Sequence, residues 1–281
     1  MLSLNQKIKP CPELAKYINC YYVFDDDGIF RELEVTTLEN GLTEMIIHLG
    51  DPTIFCNKSR NIRNQYRVSL TGQYLDDVVM VTTGHTHLIS VNFKPGGMYA
   101  IFGVPQNFYE SKNINLDDIE SNISALLWEE LMEQQGIAGR IRILEEFLIH
   151  HVRRNKMPVT EMSRMAEYIR VYEGQISVHL LAGMAGMSVR TFSRRFSSQI
   201  GLSPKQYAEI IRLNRVCLEM VNTDKHDLLT IALHHGYYDA SHLINAFKKY
   251  LHLTPSEFTT QLLKDGDYTG KFTLIDPATD R

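Results

Sequence analysis

One stretch of the chain occurs twice. With the frame shifted by 51 residues, Phe192, Phe196 and Ile200 fall on Leu243, Phe247 and Leu251. Leu-Ser-Pro at 202–204 becomes Leu-Thr-Pro at 253–255, and Tyr207 becomes Phe258. Just upstream the offset is 50, where residues 181–187 match 231–237, with Ala182 on Ala232 and Gly186 on Gly236. One residue of difference in the intervening turn accounts for the change. Each copy reads as a short helix, a glycine-containing turn and a longer helix with an apolar inner face. That is the helix-turn-helix pattern, and two copies in one chain are a specific signal.

The longer helix of the first copy has two unlike faces. At about 100° per residue, Val189, Phe192, Phe196 and Ile200 fall within one arc, while Arg190, Arg194 and Ser197 fall opposite. Ser188 is the expected N-cap, and Gly201 followed by Leu-Ser-Pro ends the helix. In the second copy Arg190, Arg194 and Ser197 map onto Ser241, Asn245 and Lys248. The second helix of such a unit enters the major groove, where arginine can pair bidentately with guanine and asparagine with adenine. Arg195, Lys205 and Lys249 are better placed for phosphates, which fix register without reading sequence.

Charge agrees with this division. Residues 1–174 carry 17 Lys and Arg against 23 Asp and Glu, whereas residues 175–262 carry 9 against 6. An acidic first part joined to a basic last part predicts that only the C-terminal portion meets a polyanion, double-stranded DNA. At 281 residues, two domains are expected. Residues 1–12 do not resemble a signal peptide, and no apolar run approaches the ~18 residues of a membrane helix. Cys11, Cys20, Cys56 and Cys217 lack metal-type spacing. A cytoplasmic protein with reduced thiols, and no membrane partner, is expected.

Residues 160–262 resemble the DNA-binding domain of the AraC/XylS family of transcription regulators. The motifs that carry the resemblance are "LAGMAGMSVRTFSRRF", "GLSP", "IALHHGYYDASHLINAFKK" and "TPSEF", running unbroken through 181–258. The resemblance implies two helix-turn-helix units joined by a long helix over 204–220. It implies base-facing residues Arg190, Ser193 and Arg194 in the first unit and Ala240, Ser241 and Asn245 in the second. It also implies RNA polymerase as a partner; a role as activator is expected, with repressor as the alternative. The family usually has arginine where Asn245 stands and glycine where His252 stands, so the first unit is expected to dominate base reading.

The first part of the chain reads differently. Over 18–102 short β-type runs ("INCYYVF", "TEMIIHLG", "RVSLTG", "DVVMVTTG", "LISVNF") alternate with turns, which predicts an antiparallel barrel or sandwich. The stretch "VNFKPGGMYAIFGVP" passes from strand into helix and resembles the cupin-like sensor domain found ahead of many AraC-type modules. Amphipathic helices are expected over 116–135 and 139–153; in the family such helices commonly form a dimer interface, so a homodimer is expected. The fold class is thus α+β: a cupin-like domain over 1–155, a linker at 153–158, an all-α domain over 160–262, and a tail over 263–281.

The first part of the chain holds three further candidate sites. Tyr21, Tyr22, Tyr74 and Phe93 are candidates to line a barrel lumen for an unidentified small-molecule effector. His48, His85 and His87 compose a possible cupin-type metal trio, but no carboxylate follows at cupin spacing, so no metal or other cofactor is expected. Arg63 and Arg67 have the R-x-x-x-R spacing of some cyclic-dinucleotide sites, without the usual partner motif. Pro10-Cys11 lacks the surroundings of a methyltransferase nucleophile, and no other nucleophile–base pair is readable. The expected function is a ligand-responsive, sequence-specific transcription regulator, not an enzyme. The alternative is a cupin-type metalloenzyme or cyclic-dinucleotide sensor fused to DNA-binding helices. The opposite charges of the two parts predict that the N-terminal domain, without ligand, restrains the second unit.

Overall fold

The computed structural model describes residues 4–26, 34–36, 41–57, 62–72, 78–108, 112–222 and 227–265. The N-terminal part contains two antiparallel sheets. Strands β1 (Leu4–Ile8), β2 (Ile18–Asp25), β3 (Glu34–Thr36), β4 (Thr43–His48) and β5 (Ile54–Asn57) come first. They are followed by β6 (Ile62–Asn64), β7 (Val68–Thr71), β8 (Val78–Val81), β9 (His87–Phe93) and β10 (Asn113–Asn115). One sheet has the order β1-β2-β9-β4-β7-β10 and the other β3-β8-β5-β6. This is the antiparallel architecture predicted from the runs.

Helices cover one face of the larger sheet. Helix α1 (Gly97–Phe102) leaves β9 directly, and α2 (Ile123–Glu133) and α3 (Ile137–Asn155) follow. Alternation puts Met45 and Ile47 of β4 and Ile89, Val91 and Phe93 of β9 on this face. There they form one core with Leu127, Leu131, Leu144 and Leu148 of α2 and α3. The amphipathic helices expected here therefore spend their inner faces on the chain's own sheet. Leu126 and Met132 of α2 remain exposed.

The opposite face of the same sheet is more polar. Glu44 pairs across the sheet with Asn92, and Ser90 with both Ile46 and Tyr22, so these side chains share that face. Glu44 accepts hydrogen bonds from Asn92 Nδ2 at 3.1 Å and Ser90 Oγ at 3.2 Å. Burial drives its carboxyl above the ordinary range, and those two bonds only partly offset the rise.

His48 ends β4 and is 2% exposed, with Nε2 3.3 Å from Thr53 Oγ1. Burial, assisted by the Arg67 charge, lowers its pKa to about 4. An unfolded histidine titrates near 6.5. The neutral ring therefore contributes its full stability above that pH, and the contribution is lost as pH falls toward 4. The whole effect is about 3 kcal/mol. Denaturant unfolding at pH 7.5 and pH 4.5 should show the native chain losing more stability on acidification than His48→Gln, by about this amount. Equal losses would contradict the assignment.

The C-terminal part is helical: α4 (Glu161–Val171), α5 (Val178–Met184), α6 (Val189–Ile200), α7 (Pro204–Asn222), α8 (Leu228–His234), α9 (Ala240–Leu251) and α10 (Pro255–Asp265). Two cores lie side by side along α7. Phe192, Phe196, Leu181 and Tyr207 belong to the first, and Leu243, Phe247, Ile231 and Phe258 to the second.

The sequence repeat is a structural repeat down to its caps and rings. Phe196 meets Tyr207 with ring centroids 5.7 Å apart at 69°, and Phe247 meets Phe258 with the same spacing and angle. Gly186 (φ 64°) and Gly236 (φ 71°) occupy the left-handed position of the two turns, where a side chain costs about 1–2 kcal/mol. Ser203 with Gln206, and Thr254 with Glu257, form reciprocal capping boxes at the starts of α7 and α10. The copies differ at one helix end: Gly201 follows α6, whereas His252 holds the left-handed φ after α9.

Among the described residues, close contacts between the two halves involve α4, α6 and α7. Gly41 packs so close to Tyr207 and Ile211 of α7 that a Cβ there would lie 2.9 Å from each. Gly96 lies against Ser163 of α4 and Ile200 at the end of α6, and the 3-10 turn Gln106–Phe108 also rests on α6. The interface rests on close packing of glycines against helices, which a balance of net charges does not reveal.

Candidate nucleic-acid interface

Helix α6 is anchored by its inner face and open on its outer one. Ser188 Oγ caps the helix by accepting from Thr191 N. Phe192 and Phe196 are fully buried and Ile200 nearly so, which fixes the rotation of the helix about its axis. That rotation turns Arg190, Arg194 and Arg195 to solvent, with Ser193 and Ser197 half-buried beside them.

Among the described residues these three arginines have no carboxylate partner. Elsewhere Arg142 pairs with Glu146, Arg153 with Glu13, Arg154 with Glu120, Arg164 with Glu161 and Arg215 with Glu173. Among the described residues no ion pair involves Arg190, Arg194 or Arg195. Three uncompensated cations on one helix suit a phosphate-rich surface.

The second recognition helix is more engaged. Asp239 caps α9 by accepting from His242 N at 2.7 Å. Ser241, Asn245 and Lys248 face solvent as expected, and Ala240 is half-buried. Lys249, expected at a phosphate, reaches back to Glu209 Oε2 of α7 at 2.9 Å, where Tyr250 Oη also donates at 2.5 Å. Burial by itself raises the Glu209 carboxyl, but the bonds from Tyr250 and Lys249 outweigh it and hold it below the usual range. Lys249 thus ties α9 to α7. The sequence could not show this, because Glu209 lies 40 residues away. Asn245, His242 and Lys249 also line a cleft of about 440 Å³ with Arg212 and Lys205 of α7.

The other candidate residues do not assemble. Tyr21 enters the core under the helices, donating from Oη to Glu145 Oε1 at 3.3 Å. Phe93 joins the same core, with its ring 6.3 Å from Phe102. Tyr22, the next residue along β2, points to the opposite face and packs with Cys20 and Phe24. The expected common lumen of Tyr21, Tyr22 and Phe93 is therefore corrected by the alternation of the strand itself; Tyr74 lies outside the described residues. On Tyr22's face the sequence reading missed Glu44, Ser90 and Asn92, although the alternation of "TEMIIH" and "LISVNF" was the signal for them.

The histidine trio is also divided. His48 pairs across the sheet with Leu88, not with His87, so His87 points to the other face. His85 instead meets Asp25, with Nε2 2.7 Å from Oδ1. Arg67 lies 4.4 Å from the centre of the Trp128 ring, a cation–π contact that holds α2 on the sheet.

A buried apolar anchor, a glycine turn and an exposed basic helix, present twice around one connecting helix, define a double helix-turn-helix module. Residues 181–261 match the model of a family described as a helix-turn-helix domain, and residues 6–115 match a domain of unknown function (DUF6597). The chain thus carries a helix-turn-helix domain over 181–261 behind a separately matched domain over 6–115. It is 33% identical over 86 residues to the HTH-type transcriptional regulator MtrA of Neisseria gonorrhoeae, covering 31% of this chain and 28% of that one. It is also 33% identical over 81 residues to an uncharacterized HTH-type transcriptional regulator of Haemophilus influenzae, covering 29% and 27%. The chain thus spans under a third of the length of these relatives. Among solved structures, apo ToxT of Vibrio cholerae is similar at TM-score 0.46 and 12% identity, over 90% of this chain and 99% of that one. The DNA-binding domain of AdpA, in complex with a target DNA, is similar at TM-score 0.34 and 24% identity, over 37% and 95%. No helix among the described residues is long and apolar enough to cross a membrane.

Proposed function

We propose that the protein is a sequence-specific DNA-binding transcription regulator, with α6 as its principal base-reading helix and α9 as a second, weaker reader. The observation that carries this is the trio Arg190, Arg194 and Arg195, exposed and, among the described residues, without ion pairs, on a helix whose other face is locked by Phe192 and Phe196. Arg190, Ser193 and Arg194 face the bases in this reading. Arg195, Ser197 and Lys248 serve the backbone, and Ala240, Ser241 and Asn245 make the second set of base contacts. Lys249 serves by orienting α9 through Glu209.

The N-terminal domain, over 1–155, is proposed to sense a small molecule, and the DNA-binding domain spans 160–262. Signal passes through the contacts of Gly41 and Gly96 with α7 and the end of α6, which leave the first turns of α6 open. A ligand acts here only by binding two arrangements of that interface with different affinity. A homodimer and contact with RNA polymerase belong to the same proposal, as does a cytoplasmic location. No observation favours the metalloenzyme reading, whose histidine trio is divided between two faces of a sheet.

The test is Arg194→Ala. It should cost about 1–3 kcal/mol of binding to the specific site and relax preference at one base pair, while thermal stability stays near that of the native chain. If specific and random DNA were weakened equally, Arg194 would not read a base.

A further inference from the structure

We propose that Glu219, His234 and His235 form a binding site for one divalent transition-metal ion of the zinc class, which clamps α7 to the end of α8 in the second unit. Glu219 Oε2 lies 2.9 Å from His234 Nδ1 and 2.8 Å from His235 Nε2. The three donor atoms all fall within 4.8 Å of one another.

Consecutive residues on a helix point about 100° apart, so neighbouring histidines ordinarily diverge. Here they converge because α8 ends at His234. His235 follows as its C-cap at φ −89° and ψ 17°, outside the regular helix. The two rings come to 4.8 Å between centroids, both aimed at one carboxylate from a different helix. His235 is buried against the second core and His234 is exposed, so the site is rigid on one side and reachable from solvent on the other.

The donor set selects the ion. Two imidazole nitrogens and a carboxylate oxygen, with no thiolate, suit zinc, nickel or copper and not magnesium or calcium. Zinc takes this His2Glu set at bond lengths of about 2.0–2.2 Å, with water in the fourth position. On loading, each imidazole proton that now bonds Glu219 moves to the other nitrogen of its ring, so that the metal takes the vacated lone pair, and the donors spread by a fraction of an ångström. The exposed His234 side chain is free to make that adjustment.

The repeat shows that the fold does not need these residues. At the corresponding positions the first unit has Met184 and Ala185, and its short helix packs without any such cluster. What the cluster adds is control over the second unit. The turn through Gly236 leaves α8 at this point and leads into α9, so a metal joining α8 to α7 fixes where α9 begins. Metal occupancy would then set how well the second recognition helix is held for DNA.

The experiment uses the full chain without a purification tag, stripped of metal by chelator, and follows cobalt(II) by its visible absorption and zinc by equilibrium dialysis. One equivalent should bind at micromolar concentration or below, with the intense visible bands of a four- or five-coordinate cobalt centre. His234→Ala and Glu219→Gln should each weaken binding at least about 10-fold, whereas His179→Ala should leave it unchanged. Because His234 is exposed, its replacement remains informative even where Glu219→Gln impairs folding. Absence of binding at micromolar metal, or binding that His234→Ala leaves intact, would overturn the proposal.

Discussion

Phe196→Ala is expected to cost about 3–5 kcal/mol of stability and to abolish DNA binding by unfolding the first helix-turn-helix unit. The ring is fully buried, 5.6 Å from Phe192 and 5.7 Å from Tyr207 between centroids. It is the hinge between α6 and α7, so its loss forfeits burial and leaves a cavity that two helices cannot both close. Phe247→Ala should cost a similar amount in the second unit, since its ring meets Phe258 in the same geometry. Chemical denaturation followed by near-ultraviolet circular dichroism measures both. A loss below 1 kcal/mol at Phe196 would mean that α6 is not held by its inner face, and the outward placement of Arg190 and Arg194 would lose its basis.

Gly174→Ala should be nearly as damaging, at about 3 kcal/mol. Gly174 follows α4 with φ 75°, and a methyl group there would overlap the carbonyl oxygen of Ala208 and lie 3.0 Å from Arg212 N. The left-handed backbone accounts for about 1–2 kcal/mol and the overlap with α7 for a further 1–3 kcal/mol. The same glycine accepts a 2.7 Å bond from Arg212 Nη2, so a shift to relieve the clash breaks a contact that joins α4 to α7. Thermal and denaturant unfolding of the full chain should show the loss. A cost under 1 kcal/mol would show that the α4–α7 contact is loose, contrary to this packing.

How much of this was legible in the sequence follows from where each signal is stored. The double helix-turn-helix was readable because its determinants are local: phenylalanines four apart, glycine at a turn, serine before proline. The longer strands were readable from runs such as "TEMIIH" and "LISVNF". Strands β3, β6 and β10 have three residues each, too few to express a period of two, and only pairing with longer neighbours defines them. A common lumen for Tyr21, Tyr22 and Phe93 was not legible, because aromatic residues in strands mark packing as readily as binding and adjacent strand residues face opposite ways. The Lys249–Glu209 pair, the Gly41–Tyr207 contact and the cluster at Glu219 all join residues distant in sequence. No spacing rule reaches them.

The central claim is that α6 reads bases and α9 reads them less. It is tested most directly by capturing genomic DNA fragments on the full-length protein and then measuring affinity for every single-base change across the shared site. One common site with two sensitive segments about 10 base pairs apart is expected. Losses should be steep in the segment that Arg194→Ala relaxes and shallow in the other, where Asn245 stands. Fragments with no shared sequence, or equal losses in both segments, would contradict it.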